Sequence, residues 1–248
     1  GYDRIDVAAA GQRGIAVTNV GGYSNEDLAD YVMAAIYHFY KNLPNLAAEV
    51  RDLPWGAQAM PTPPLRLNRS VLHILGLGRI GRETAAKALA NGLIVTAFDP
   101  YVSAEDMRKI GVRKTDWDEG LRDADYVSIH LVLNEHTVGS FKYDDFARMK
   151  PTACLINAAR GRIIDEDGMV RALHQGLIRG AMLDTLVTEP PTYSEKIFDC
   201  PRVFITPHVS FISVQSFEEL RRRAVENLII GLEGGKSPDL VNSAYLNA

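Results

Sequence analysis

Three side chains of complementary chemistry stand in loops that follow apolar runs. They are Arg160 in Asn157-Ala158-Ala159-Arg160-Gly161, Glu189 in the stretch from Asp184 to Pro190, and His208 in Thr206-Pro207-His208. Imidazole exchanges protons near neutrality, and a guanidinium fork meets a carboxylate bidentately. A carboxylate bonded to the second ring nitrogen orients the imidazole and favours its charged form. A protein must supply these three functions when a hydride moves between a carbinol carbon and a nicotinamide. Each residue also has a plainer reading: His208 as a satisfied structural histidine, Arg160 as a surface ion pair, Glu189 as a helix-start cap before Pro190. The other histidines (His38, His73, His130, His136 and His174) lack such a set. No His-Glu-x-x-His or comparable spacing is present, so no metal is expected.

A cofactor signature accompanies these residues. Val71 to Leu75 is a nearly unbroken apolar run, as expected of a strand covered on both faces. Gly76, Gly78 and Gly81 follow as G-x-G-x-x-G, and Arg79 to Ala90 reads as helix. Gly76 permits the tight turn, Gly78 lets a pyrophosphate approach the backbone, and Gly81 lets helix and strand pack closely. The N–H groups opening the helix face the phosphates with the positive end of its dipole. A second strand, Leu93 to Phe98, ends at Asp99, eighteen residues beyond Gly81. A carboxylate there accepts from a ribose 2′-hydroxyl and repels a 2′-phosphate, so the cofactor is read as NAD.

The elements that must position these residues alternate. Strands are expected at Val71–Leu75, Leu93–Phe98, Tyr126–Leu131, Ala153–Asn157, Ala181–Leu183 and Val203–Thr206, with helices at 79–90, 104–110, 118–122, 143–149 and 165–174. Such alternation predicts an α/β fold with a doubly wound parallel sheet. Ligands on such a sheet lie beyond the strands' carboxyl ends. The polar residues there are Asp99, the loop 132–137, residues 157–160 and 184–189, and His208. Before this run, Ile5 to Ala10 reads as a short helix and Ile15 to Asn19 as a strand. Ser24 to Asn42 reads as a helix with Leu28, Val32, Ile36 and Leu43 on one stripe, and a second amphipathic helix is expected up to about Asp52. The stretch 54–64 holds four prolines and reads as a connection. A long helix is expected from Phe217 to Glu233, ended by Gly234-Gly235.

Composition narrows the class. The chain has 248 residues, enough for a large core and more than one folding unit. A net charge of −4 argues against nucleic-acid binding by bulk electrostatics. The run Arg221-Arg222-Arg223 lies among Glu218, Glu219 and Glu226 and reads as a solvated helix face. The apolar runs are too short to span a bilayer. Cys154 and Cys200 have neither metal nor C-x-x-C spacing, so reduced thiols and a cytoplasmic location are expected. The chain opens at Gly1 without methionine, and an N-terminal portion is expected to precede it.

Taken together, Gly1-Tyr2-Asp3-Arg4-Ile5-Asp6, Gly14-Ile15-Ala16-Val17-Thr18-Asn19, Gly76-Leu77-Gly78-Arg79-Ile80-Gly81, Asp99-Pro100, Asn157 to Gly161, Gly180 to Asp184, Glu189-Pro190 and Thr206-Pro207-His208 resemble the D-isomer-specific 2-hydroxyacid dehydrogenases. Within that family, Leu133-Asn134-Glu135-His136, Asp99-Pro100-Tyr101 and the region from Ser213 look most like the C-terminal binding protein branch, which contains NAD(H)-sensing corepressors. The resemblance implies a catalytic set of Arg160, Glu189 and His208. It implies cofactor contacts from Ser24, Gly76, Leu77, Gly78, Arg79, Ile80, Gly81, Asp99, Val132, Leu133, Asn134, Thr137, Ala158, Ala159, Arg160, Asp184 and His208.

It further implies a Rossmann-type NAD-binding domain over 23–215, the end of a flavodoxin-like substrate domain over 1–22, and a C-terminal helix returning to that domain over 216–248. Homodimers through the nucleotide domain and a small 2-oxo or 2-hydroxy acid substrate are implied as well. A corepressor-like NAD(H) sensor with little turnover is the alternative. Several positions depart from the family pattern: Gly21 and Val132 stand where proline is usual, His73 replaces a small residue, and Phe211 stands where the corepressor branch has Trp.

Overall fold

The computed structural model describes residues 1–246. The chain divides into two units, Leu28–Ser210 and a smaller one formed by Gly1–Asp27 with the chain from Phe211 onward. In chain order the helices and strands are α1 (Val7–Gln12), α2 (Asn25–Lys41), α3 (Leu43–Ala48), β1 (Val71–Leu75), α4 (Arg79–Ala90), β2 (Ile94–Phe98), α5 (Ala104–Lys109), β3 (Arg113–Lys114), α6 (Trp117–Asp123), β4 (Tyr126–Ile129), α7 (Tyr143–Arg148), β5 (Cys154–Asn157), α8 (Glu166–His174), β6 (Gly180–Leu183), β7 (Val203–Ile205) and α9 (Val214–Leu232).

In the larger unit the strands form one sheet in the order β3-β2-β1-β4-β5-β6-β7, and every neighbouring pair is parallel. The order reverses between β1 and β4, which makes their carboxyl ends the crevice where such sheets take ligands. β4, β5 and β6 are buried along their whole length, as expected of strands covered on both faces. Their side chains alternate between two cores. Leu72 and Ile74 of β1, Tyr126 of β4, Cys154 and Ile156 of β5 and Met182 of β6 pack with Val32, Ile36 and Phe39 of α2 and with Ala85 and Ala88 of α4. Leu75, Val127, Ile129, Leu155, Ala181 and Leu183 pack on the opposite face with Phe141, Phe146, Met169 and Leu173. Both cysteines are free and buried, and burial pushes the Cys154 thiol up to about 12.

The smaller unit is tied by polar contacts. Asn242 is 0% exposed; its Oδ1 accepts from Val17 N–H at 2.9 Å and its Nδ2 donates to Ile15 O at 2.9 Å. Arg223 of α9 pairs with Asp239 at 2.7 Å and with Glu219 at 3.1 Å. Arg222 pairs with Glu226 at 2.7 Å. The basic run thus lies among carboxylates.

Some boundaries differ from those read in the sequence. Residues 15–19 form no strand; a single antiparallel bridge joins Thr18 to Leu240, and Asn242 satisfies the neighbouring backbone instead. Leu43 is 65% exposed rather than on the α2 stripe, because Asn42 adopts φ 50 and a new helix, α3, starts after it. That helix ends at Ala48. α9 begins at Val214, three residues early, because Ser213 accepts from Ser216 N–H and forms a capping box with it. The two-residue β3 was not expected; it is too short to carry a pattern. No helix among the described residues is long and apolar enough to cross a membrane.

Candidate active site

The carboxyl edge of the sheet begins at the glycine turn. Gly76 has φ +94, and a Cβ there would lie 2.9 Å from His130 O. At Gly81 a Cβ would sit 2.2 Å from Gly76 O, so the helix and the strand-end turn approach as only glycine allows. Gly78 differs: a Cβ there would meet nothing within 4 Å. It is the N-cap of the twelve-residue α4, whose opening N–H groups have no partner within the helix. Open space therefore faces a turn where backbone donors and a helix dipole converge, which suits a pyrophosphate.

Asp99 follows β2 and is 9% exposed. Its Oδ2 accepts from Leu77 N–H and its Oδ1 from Tyr101 N–H, each at 2.8 Å. A carboxylate offers about four acceptor sites, so each oxygen retains capacity for a ribose hydroxyl. Arg79 and Ile80 form the first turn of α4. The loop after β4 is braced internally, with Asn134 Oδ1 accepting from His136 N–H at 2.9 Å and from Thr137 N–H at 3.1 Å. Val132 in that loop is 74% exposed, and Leu133 packs against the sheet core. Ser24 is a residue of the smaller unit, where it precedes α2.

Arg160 is placed by a buried amide. Asn157, the last residue of β5, is 0% exposed; its Oδ1 accepts from Ala159 N–H and its Nδ2 donates to Arg160 O, both at 3.0 Å. The turn through Ala158 and Ala159 is thereby closed on itself. Arg160 Nη1 donates to Ala159 O at 2.7 Å.

His208 is placed by a buried carboxylate in the same way. Asp184 follows β6 and is 1% exposed. Its Oδ1 accepts from Thr206 Oγ1 at 2.6 Å and Val209 N–H at 2.9 Å, and its Oδ2 from Ser210 N–H at 2.9 Å. His208 itself has φ 56, a left-handed conformation that costs a non-glycine residue about 1–2 kcal/mol. The flanking hydrogen bonds hold it there. His208 Nδ1 lies 2.9 Å from Glu189 Oε2, and Glu189 Oε1 accepts from Leu186 N–H at 2.9 Å. Both oxygens of Glu189 are therefore used, one to fix its own loop and one to hold the imidazole. No helix follows Glu189 directly, so the helix-cap reading fails: the next element is a short 3-10 turn at Lys196–Asp199.

The structure thus brings together Glu189 and His208 on one edge with the glycine turn, Asp99 and Arg160. Asn157, singled out only as one of the polar residues 157–160, and the Thr206 hydroxyl, quoted only within its motif, prove to hold the Arg160 turn and the Asp184 carboxylate. The available signal was their position, polar residues at the last or next residue of an apolar strand. Tyr31, whose hydroxyl reaches Thr206 Oγ1 at 2.7 Å, left no such signal because it lies on a helix far away in the chain.

Known proteins resemble this chain along most of its length. Residues 33–210 match the D-isomer specific 2-hydroxyacid dehydrogenase, NAD binding domain. The chain is 31% identical over 253 residues to glyoxylate reductase of Thermococcus litoralis, covering 100% of this chain and 76% of that protein. It is 36% identical over 209 residues to D-3-phosphoglycerate dehydrogenase of Bacillus subtilis, covering 84% of this chain but 39% of that protein. The D-lactate dehydrogenase of Aquifex aeolicus, solved with NAD and lactic acid, superimposes with a TM-score of 0.86 at 29% identity, over 100% of this chain and 76% of that one. The chain belongs to the D-isomer specific 2-hydroxyacid dehydrogenase family, and its larger unit is that family's NAD-binding domain.

Proposed function

We propose that the protein is an NAD-dependent oxidoreductase interconverting a D-2-hydroxy acid and a 2-oxo acid, with His208 as the acid/base. The observation that carries the reading is the His208–Glu189 pair, 2.9 Å apart, on the ligand-binding edge of an NAD-binding sheet. The glycine turn, the opening of α4 and Asp99 hold the dinucleotide, with the loop 132–137, Ala158, Ala159 and Asp184 contributing further contacts. Bound nicotinamide supplies the hydride in reduction and accepts it in oxidation. With Nδ1 held by Glu189, His208 exchanges the substrate's hydroxyl proton through Nε2, and the carboxylate stabilises the imidazolium that forms when it takes the proton. Arg160 binds the substrate carboxylate and carbonyl oxygen through its planar fork. In this reading residues 1–22 close a substrate domain, 216–248 return to it, and the protein works in the cytoplasm as a homodimer.

The test follows NADH oxidation across a panel of small 2-oxo acids, with His208→Ala beside the parent. Turnover by the parent and a loss of about 10²–10⁴-fold in the variant are expected. Equal rates in the two would remove His208 from the chemistry. Arg160→Lys, which keeps the charge but loses the fork, is expected to lower kcat/KM by about 2–4 kcal/mol of transition-state binding. The relatives named above are two dehydrogenases and a reductase, and no observation favours the C-terminal binding protein branch or its corepressor-like alternative.

A further inference from the structure

We infer that Tyr31 is a positioning residue for His208, the terminal donor of a hydrogen-bond chain that pins the His208 turn; the inference rests on His208 being the acid/base of the proposed reaction. The chain runs from Tyr31 OH to Thr206 Oγ1 at 2.7 Å, and from Thr206 Oγ1 to Asp184 Oδ1 at 2.6 Å. It continues from the Asp184 carboxylate to the N–H groups of Val209 and Ser210, each at 2.9 Å.

Its direction is fixed by proton inventory. An ionised carboxylate only accepts, so the single hydroxyl proton of Thr206 points to Asp184. Tyr31 must then donate to Thr206. Burial pushes the Tyr31 hydroxyl up to about 12, with the Thr206 bond pulling down and the Asp184 charge pushing up. The phenol therefore remains a proton donor throughout the neutral range.

The arrangement joins three separate elements at one point. Tyr31 comes from α2, Thr206 follows β7 and Asp184 follows β6. Thr206 is also fixed by its backbone, with its N–H donating to Leu183 O and its O accepting from His208 N–H, both at 2.9 Å. The two residues after His208 are the ones whose amides end on Asp184. Such chains polarise one another, so a donor at the far end strengthens the bonds nearer the turn. Tyr31 is half-buried, and its hydroxyl is committed to Thr206, the residue that starts the His208 turn, rather than to a backbone group of its own helix. Tyr31 touches no reacting atom and acts through Thr206 and Asp184.

Tyr31→Phe keeps the ring and removes the donor, and the full chain is used throughout. Without cofactor, amide hydrogen exchange at Val209 and Ser210 is expected to be about fivefold faster or more, while exchange in β1 is unchanged. With NADH and the best 2-oxo acid, kcat is expected to fall about tenfold to a hundredfold at a KM for NADH within twofold of the parent. Thr206→Val should reproduce the loss, Thr206→Ser should restore most of it, and Tyr31→Phe added to Thr206→Val should cost nothing further. If Tyr31→Phe does not fold, the Val and Ser variants at 206 carry the test, and equal loss in both overturns the chain. Unchanged exchange at Val209 and Ser210 in Tyr31→Phe overturns the inference whatever the parent's activity. Faster exchange in a protein whose parent reduces no 2-oxo acid overturns the dehydrogenase reading and leaves the pinning of the turn by Tyr31 standing.

Discussion

At the residue scale, the three glycines of the turn have separable tasks. A Cβ at Gly81 would sit 2.2 Å from a backbone carbonyl that cannot move aside, whereas at Gly78 it would enter open space. Gly81→Ala is therefore expected to destabilise the fold by about 1–3 kcal/mol or more. Gly78→Ala is expected to keep its melting temperature and to weaken NADH about tenfold or more, because only the bound pyrophosphate meets the added methyl. Calorimetric melting beside NADH titration of both variants checks this, and equal melting losses would erase the distinction. These residues were legible in the sequence because their spacing is itself the mechanism. Arg160, Glu189 and His208 were legible as types at strand ends. What holds them was not: the hydrogen bonds of Asn157 and Asp184 reach backbone amides two to twenty-six residues away, and no pattern in the chain announces such partners.

At the element scale, hydrophobic runs located six strands to within two residues, because buried parallel strands carry an unbroken apolar signal. Short elements failed for the converse reason, as at β3, and the Ile15–Asn19 run failed because its apolar residues have no strand beside them. One residue sits uneasily in its element. His73, in the middle of β1, is 0% exposed; its Nδ1 lies 2.9 Å from Thr96 Oγ1, and its Nε2 has no partner among the described residues. Its ring fills the space that a Cβ at Gly120 of α6 would need. Burial pulls its pKa from 6.5 to about 4, with Arg113 pulling the same way and Asp116 and Asp123 opposing. His130, just beyond β4, is likewise pulled down to about 4 by burial. Since both folded values lie below the unfolded one, the unfolded chain binds more protons between pH 6.5 and 4. Stability is then fully present above about 6.5 and is lost as the pH falls towards 4. From pH 7 to pH 5 the loss is about 2 kcal/mol per histidine. Urea unfolding at the two pH values should show it, and His73→Asn should remove about half of the dependence. An undiminished dependence in that variant would assign the effect elsewhere.

At the scale of the whole molecule, the proposed site draws on residues from Gly76 to Ser210, all within the larger unit. Ligand binding there couples to the unfolding of that entire sheet. NADH at a hundred times its Kd is expected to add about 2.7 kcal/mol to stability. NADPH at the same concentration should add far less, since Asp99 repels a 2′-phosphate. Equal shifts in melting temperature would overturn the assigned role of Asp99. Doubly wound architecture was legible from the alternation of elements, whereas composition does not mark the division at Asp27 and Ser210, because α2 and the His208 loop cross it without any change in composition; only the family resemblance implied boundaries nearby, after residues 22 and 215.

The buried anchors Asn157 and Asp184 have a consequence for how this protein changes over generations. They grip main-chain amides, which every residue except proline possesses, so the exposed side chains nearby are released from any duty to the fold. Val132, at 74% exposure, and Val187, at 40%, are such positions. Variation there can reshape the rim while the loop geometry held by the two anchors is inherited intact. Two interior polar residues thereby purchase evolvability for the rim around them.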